Sequence, residues 1–293
     1  MSRPLAGYIG YDAEPTTDAA PGIWTLREAE FYQRKAQWPL LFVPSDLTGL
    51  QLWLDASDDQ TLYDATTGGS LVAADGSVAR WEDKSGNDRH ATQGTSGSRP
   101  LRKASVQNGL DGLRFDGSDD FLSVPSSTST FKFLHSTQAT LFAICKLGSS
   151  ADPNAILPLA GTSAGATSEV GFYAFVDDRT SLNRNNRLRW FTSNGTSGQT
   201  VINAGNSSDD NIAVNEYVLA SFVVDNTSGV AADRLEFRYN GGSAQSDNTQ
   251  TATASTSNST GDLTLGKTAT TTFGHLDGDI CEIIIYNSAL SDT

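Results

Sequence analysis

DICEIIIY, residues 279–286, and RLEFRYN, residues 234–240, decide the fold class. In RLEFRYN the apolar Leu235, Phe237 and Tyr239 alternate with Arg234, Glu236 and Arg238. A period of two places one set inward and the other in water, so this segment is predicted to be a half-buried strand. DICEIIIY is nearly continuous in apolar residues. Ile283 and Ile285 fall on one face and Glu282 and Ile284 on the other, which predicts a strand in the middle of its sheet. Comparable runs stand on either side: GLQLWLDAS (49–57), SVARWEDKSG (77–86), GLRFDGSDDFLSV (112–124 with its leading residues), ATLFAICKL (139–147), EVGFYAFVD (169–177), NRLRWFTS (186–193), EYVLASFVVD (216–225) and GDLTLGKT (261–268). Clusters of Gly, Ser, Asn and Asp separate them. Strand, turn, strand without intervening helices means antiparallel sheets, hence a sandwich or barrel. The apolar-poor stretch 243–262 reads as a tip loop between two strands.

The chain has 293 residues, enough for a single all-β domain with a sizeable core. Charged residues are 18%, below the ~25% usual in soluble domains, and turn formers fill the difference. The net charge of −14 excludes nucleic acid and anionic membranes as partners, because both need a basic face. No apolar run of ~18 residues predicts a membrane span. The opening MSRPLAGYIGYD lacks the apolar core of a secretory signal, so arrival by lysis, particle assembly or a non-classical route is expected. Cys145 and Cys281 lie inside strand-like runs. A buried reduced pair is the leading reading, with a disulfide open if the strands are neighbours.

Residues 1–45 differ in character. Four of the nine prolines lie in residues 1–39. TLREAEFYQRKAQW (25–38) predicts a short helix, capped by Thr25 with Glu28 as capping-box partner and stopped by Pro39. Trp24, Phe31, Tyr32 and Trp38 make this arm aromatic, and two uses stand: packing on its own domain, or docking on another subunit.

Six phrases in fixed order resemble one family: LQLWLDASD (50–58), VARWEDKSGNDRHATQ (78–93), SRPLRK (98–103), NGLDGLRFDGSDDFLSV (108–124), ATLFAICKL, and LDGDICEIIIYNSALSD (276–292). The series is similar to the concanavalin A-like/laminin G-like jelly-roll domains of bacterial surface and bacteriophage proteins, over about residues 46–293. That implies a two-sheet antiparallel jelly-roll sandwich behind an N-terminal arm (1–45) with a short helix. PGIWTLREAEFYQRKAQWP (21–39) resembles a segment of bacteriophage and marine-virus structural proteins. Together the two resemblances imply a virion structural protein: a capsid decoration protein, head fibre or tail-fibre component. Its partners would be other virion proteins, further copies of itself and host surface polysaccharide. The alternative is a carbohydrate-binding or adhesive module of a bacterial surface protein, extracellular rather than on a virion.

Chemistry-bearing constellations are sparse. Glycanases of this fold carry alternating acidic residues on one strand for two-carboxylate hydrolysis. The nearest run here is Asp277, Asp279 and Glu282, in which Glu282 breaks the parity. His90, His135 and His275 are isolated and match no zinc spacing. No serine stands in a nucleophile elbow. The chain is therefore expected not to be an enzyme. Asp116, Asp119 and Asp120 are the calcium candidates, weighed against simple turn stabilisation. Phe115 and Phe121 are expected to point inward from a hairpin tipped by Asp116–Asp120. Tyr173 and Trp190, beside Phe172, are the candidate glycan platforms, weighed against core positions.

Overall fold

The computed structural model describes residues 42–148, 156–163, 168–177, 187–196, 199–203, 213–230, 233–246, 254–269 and 274–291. The arm residues Trp24, Phe31, Tyr32 and Trp38, and the helix expected at 25–38, lie outside the described residues. The chain divides into two compact units, Met1–Asp46 and Leu47–Thr293. In the first, the described end forms a short 3-10 turn, Pro44–Asp46.

The second unit holds two antiparallel sheets among the described residues. Its strands are β1 (Leu50–Asp55), β2 (Leu62–Tyr63), β3 (Arg80–Trp81), β4 (Ala91–Thr92), β5 (Leu101–Gln107), β6 (Leu110–Asp116), β7 (Leu122–Val124), β8 (Gln138–Leu147), β9 (Ile156–Gly161), β10 (Val170–Asp177), β11 (Arg187–Asn194), β12 (Gln199–Asn203), β13 (Tyr217–Asp225), β14 (Leu235–Tyr239), β15 (Gln245–Ser246), β16 (Leu263–Leu265) and β17 (Asp277–Tyr286). The eight-stranded sheet runs β15-β14-β13-β8-β17-β6-β5, and β1 joins β17 where β6 leaves it. The nine-stranded sheet runs β12-β11-β10-β9-β16-β7-β4-β3-β2. Chain neighbours are repeatedly split between the sheets, as in a jelly roll.

Strand β17 is central, as its double-sided apolar pattern predicts: β8 flanks its whole length, and β6 and β1 share the other side. Ile280, Ile283 and Ile285 enter the core with Leu141, Ala143 and Cys145 of β8 and Phe222 of β13. From the other sheet come Phe172, Val176, Leu188, Trp190 and Trp81. A bulge between Ile280 and Glu282 shifts the register against β8. Both cysteines are free: Cys145 is in the core, and Cys281, at the bulge, packs against Gly112. Burial pushes both thiols up to about 12, which leaves them protonated and unreactive.

Two loops read differently from expectation. The segment Asp116–Phe121 does not close a hairpin: β6 belongs to the eight-stranded sheet and β7 to the nine-stranded one, so the bend carries the chain between layers. Phe115 is buried as expected, but Phe121 is half-exposed, because Leu122 and Val124 take the inward parity of β7. Lys267 Nζ lies 3.7 Å from its ring centroid. The stretch 243–262 is not all free loop either. β15 pairs with β14, and Ser259 is anchored to Thr128 by its backbone N–H and its hydroxyl.

That second anchor is tied by the helical turn α1 (Phe133–Ser136). His135 is 1% exposed, its Nε2 is 3.1 Å from the Ser257 carbonyl, and its Nδ1 has no hydrogen-bond partner among the described residues. A carbonyl only accepts, so Nε2 carries a proton, and burial disfavours a second one on Nδ1. Burial pushes its pKa below 6.5 despite the Ser257 carbonyl, which favours the charged form. A depressed histidine contributes stability above its unfolded pKa and loses it as pH falls below that value. His135→Gln, which keeps a donor, is therefore expected to flatten the stability loss between pH 7 and pH 5, read by urea midpoints at each pH.

Candidate functional site

The bend between the sheets gathers three carboxylates. Ligand oxygens of Asp116, Asp119 and Asp120 lie within 4.8 Å of one another. Each holds the turn with one oxygen. Asp116 Oδ1 accepts from the Ser118 and Asp119 backbone N–H groups at 2.8 and 3.2 Å. Asp120 Oδ2 accepts from the Asp116 N–H at 3.1 Å, and Asp119 Oδ2 from the Ser98 hydroxyl at 2.8 Å. Turn stabilisation thus engages all three residues, and together they offer three carboxylate ligands, the residue type calcium takes.

The crowding shows in Asp120, 5% exposed, whose pKa is pushed up to about 6 by burial and then by the Asp116 charge. A carboxyl raised in the folded state contributes stability below its unfolded pKa and loses it as pH rises through the folded value. Asp120→Asn can still accept from Asp116 N–H. It is expected to be more stable than the wild type by about 1–2 kcal/mol at pH 8, after allowing for water at this edge, and equal to it near pH 4. Added calcium tests the cluster: a wild-type melting temperature that rises with calcium, together with an Asp120→Asn variant that does not respond, would assign the cation to these carboxylates.

A second polar group lies on the face of the eight-stranded sheet turned away from the core. Asp279 is fully buried there. Arg114 Nε and Nη2 reach its two oxygens at 2.7 and 2.9 Å, Tyr217 Oη donates at 2.6 Å, and Lys146 Nζ is at 3.0 Å. Lys146 also stands 5.0 Å from the Tyr217 ring centroid. Burial opposes the charge of Asp279, but the bonds from Arg114, Tyr217 and Lys146 outweigh it and hold the carboxyl below its ordinary range. Asp277, one step along the same face, is raised instead, by burial and then by the Asp116 charge. Glu282 accepts from the Trp53 indole N–H at 2.9 Å. Of the strand's three carboxylates, Asp279 and Glu282 are thus engaged in structural bonds.

The candidate platforms lie elsewhere and are corrected by alternation along β10 and β11. Trp190 is 0% exposed and stacks on Phe172 in the core, with ring centroids 4.6 Å apart, so it presents no surface to a sugar. Tyr173 has the opposite parity, but it is 4% exposed and packs with Phe175 and Phe191. The group that sequence reasoning missed is Arg114, Lys146 and Tyr217. Only the outward parity of each residue in its own strand signals it.

Residues 116–293, more than half of the chain, match the family model described as the concanavalin A-like lectin/glucanases superfamily. The chain belongs to that superfamily. Its two-sheet sandwich is also similar in fold to solved structures. The sialidase of Trypanosoma rangeli, in complex with a difluoro-KDN, aligns with a TM-score of 0.51 at 15% identity, over 84% of this chain and 31% of the sialidase. The chain therefore spans about a third of that enzyme's length. The CBM40 module of a Ruminococcus gnavus sialidase bound to α2,3-sialyllactose aligns with a TM-score of 0.43 at 15% identity, over 66% of this chain and 94% of that module. The binding domain of botulinum neurotoxin serotype D aligns with a TM-score of 0.49 at 10% identity, covering 85% and 49%. No curated protein sequence matches the chain. The superfamily includes both lectins and glucanases, so membership sets the fold and leaves the activity to the site.

Proposed function

We propose that this chain is a non-catalytic, glycan-binding jelly roll carried by a bacteriophage virion structural protein, with residues 1–45 as its attachment arm. The observation that carries the glycan-binding part is the lectin-like sandwich with an organised, water-facing polar group on one outer sheet face. The non-catalytic part is supported by β17. Asp279 is held by Arg114, Lys146 and Tyr217, and Glu282 by Trp53, so neither is available as the partner a glycosidase acid needs. The virion part is supported by the aromatic arm and by the resemblance of residues 21–39 to viral structural proteins. Display in many copies lets weak single sites act by avidity.

A glycan array probed with the full chain, with and without calcium, tests the first part: reproducible retention on a restricted glycan set is expected, and uniform absence of binding ends the reading. A chain starting near Ser45 tests the arm. It is expected to be lost from particles, and incorporation at the full level removes the docking role.

A further inference from the structure

We propose that Arg114 and Lys146, held on Asp279 beside Tyr217, form a carboxylate-binding subsite for an acidic sugar residue on the outer face of the eight-stranded sheet. The proposal rests on the glycan-binding reading above and names the ligand class.

A guanidinium has five N–H donors in a rigid fork. Arg114 places its side edge, Nε and Nη2, on Asp279. Its end edge, made by Nη1 and the second Nη2 hydrogen, has no acceptor among the described residues, and the side chain is 43% exposed. That edge matches a carboxylate in two parallel bonds. Asp279, itself 0% exposed, fixes the fork in place, so a ligand meets an arginine whose rotamer freedom is already restricted. Two cations share this one buried carboxylate.

The surroundings narrow the anion. Asp116 and Asp277 face each other across β6 and β17, one step along the sheet from the Arg114–Asp279 pair. They accept hydrogen bonds from hydroxyl groups and repel a second negative charge. On the other side, Leu219 opposite Ile144 gives an apolar contact, with Leu219 37% exposed. A molecule with one carboxylate, flanking hydroxyls and an apolar ring face fits all three, whereas a densely sulfated chain is repelled at Asp116 and Asp277.

The test is calorimetric titration of the full chain with N-acetylneuraminic acid and glucuronic acid, with their uncharged methyl esters, and with sodium sulfate. The acids are expected to bind, the esters to bind at least about tenfold more weakly, and Arg114→Lys to weaken the acids by a similar factor. Lysine keeps the charge beside Asp279 but lacks the fork. Because Arg114 also supports Asp279, Lys146→Gln is measured alongside, with an expected weakening of the acids, and melting curves confirm that each variant is folded. Equal binding of acid and ester, binding unchanged in folded Arg114→Lys, or binding of sulfate alone overturns the subsite. A chain that retains neutral glycans while the acids show no preference loses this subsite and keeps the broader reading. A chain that binds no glycan loses both.

Discussion

Gly278→Ala is expected to destabilise the domain by about 3–5 kcal/mol, one of the two largest effects of a single substitution here. Gly278 lies in the central strand β17, opposite Phe115 on one neighbour and Leu147 on the other. Its φ is +157°, in a region that side-chain-bearing residues rarely enter. An added Cβ would be driven into the Lys146 carbonyl oxygen, with the Lys146 carbonyl carbon and the Gly148 nitrogen behind it. These are backbone atoms of a paired strand. No side-chain rotation relieves the clash, and moving the backbone breaks ladder hydrogen bonds on both sides. At roughly 2–4 °C per kcal/mol for a domain of this size, the melting temperature should fall by about 10 °C. Gly94→Ala is the control. The space around Gly94 is open and its backbone is not in the left-handed region, so that variant should melt within a degree or two of the wild type. A Gly278→Ala protein that melts with the control would mean that β17 is not pinned between β6 and β8.

Trp190→Ala is expected to cost about 3–5 kcal/mol, through a core cavity rather than a lost binding surface. Trp190 stacks on Phe172 at 4.6 Å and lies 5.5 Å from Phe222 of the opposite sheet, so it joins the two layers. Its indole N–H is buried without an acceptor among the described residues. Trp190→Phe removes that unsatisfied donor while keeping most of the ring contact, and should cost clearly less than the alanine variant. The pair of variants separates core from platform. A core tryptophan lowers the denaturant midpoint in the order Ala then Phe. A sugar platform would instead leave the midpoint unchanged and remove glycan retention.

How far each feature was legible follows from the range of the interaction behind it. Strand identity is local. The alternation in RLEFRYN and the double-sided run in DICEIIIY appear as β14 and β17, the second of them central. The acidic bend was legible for the same reason, since Asp116, Asp119 and Asp120 stand within five residues and hold one another's backbone. Phe121 was misread because the boundary between β6 and β7 is also a change of sheet, and that change resets which parity points inward. Tyr173 could not be assigned to a face from β10 alone, because Phe172, Ala174 and Val176 alternate there with Tyr173 and Phe175, whereas in β11 the alternation of Arg187 and Arg189 with Leu188 and Trp190 already grouped Trp190 with the apolar parity.

The outer-face group was the least legible. Arg114 and Asp279 are 165 residues apart, and Tyr217 and Asp279 are 62 apart. By itself the sequence determined an all-β chain with an acidic surface, a central last strand and a turn rich in carboxylates, because periodicity, composition and turn chemistry act over a few residues. Only the tertiary structure decided which strands became neighbours. Strand order in two stacked sheets is set by how apolar faces bury against one another across the whole chain. That order brings Arg114, Lys146 and Tyr217 around one buried carboxylate and leaves one edge of a guanidinium open to water.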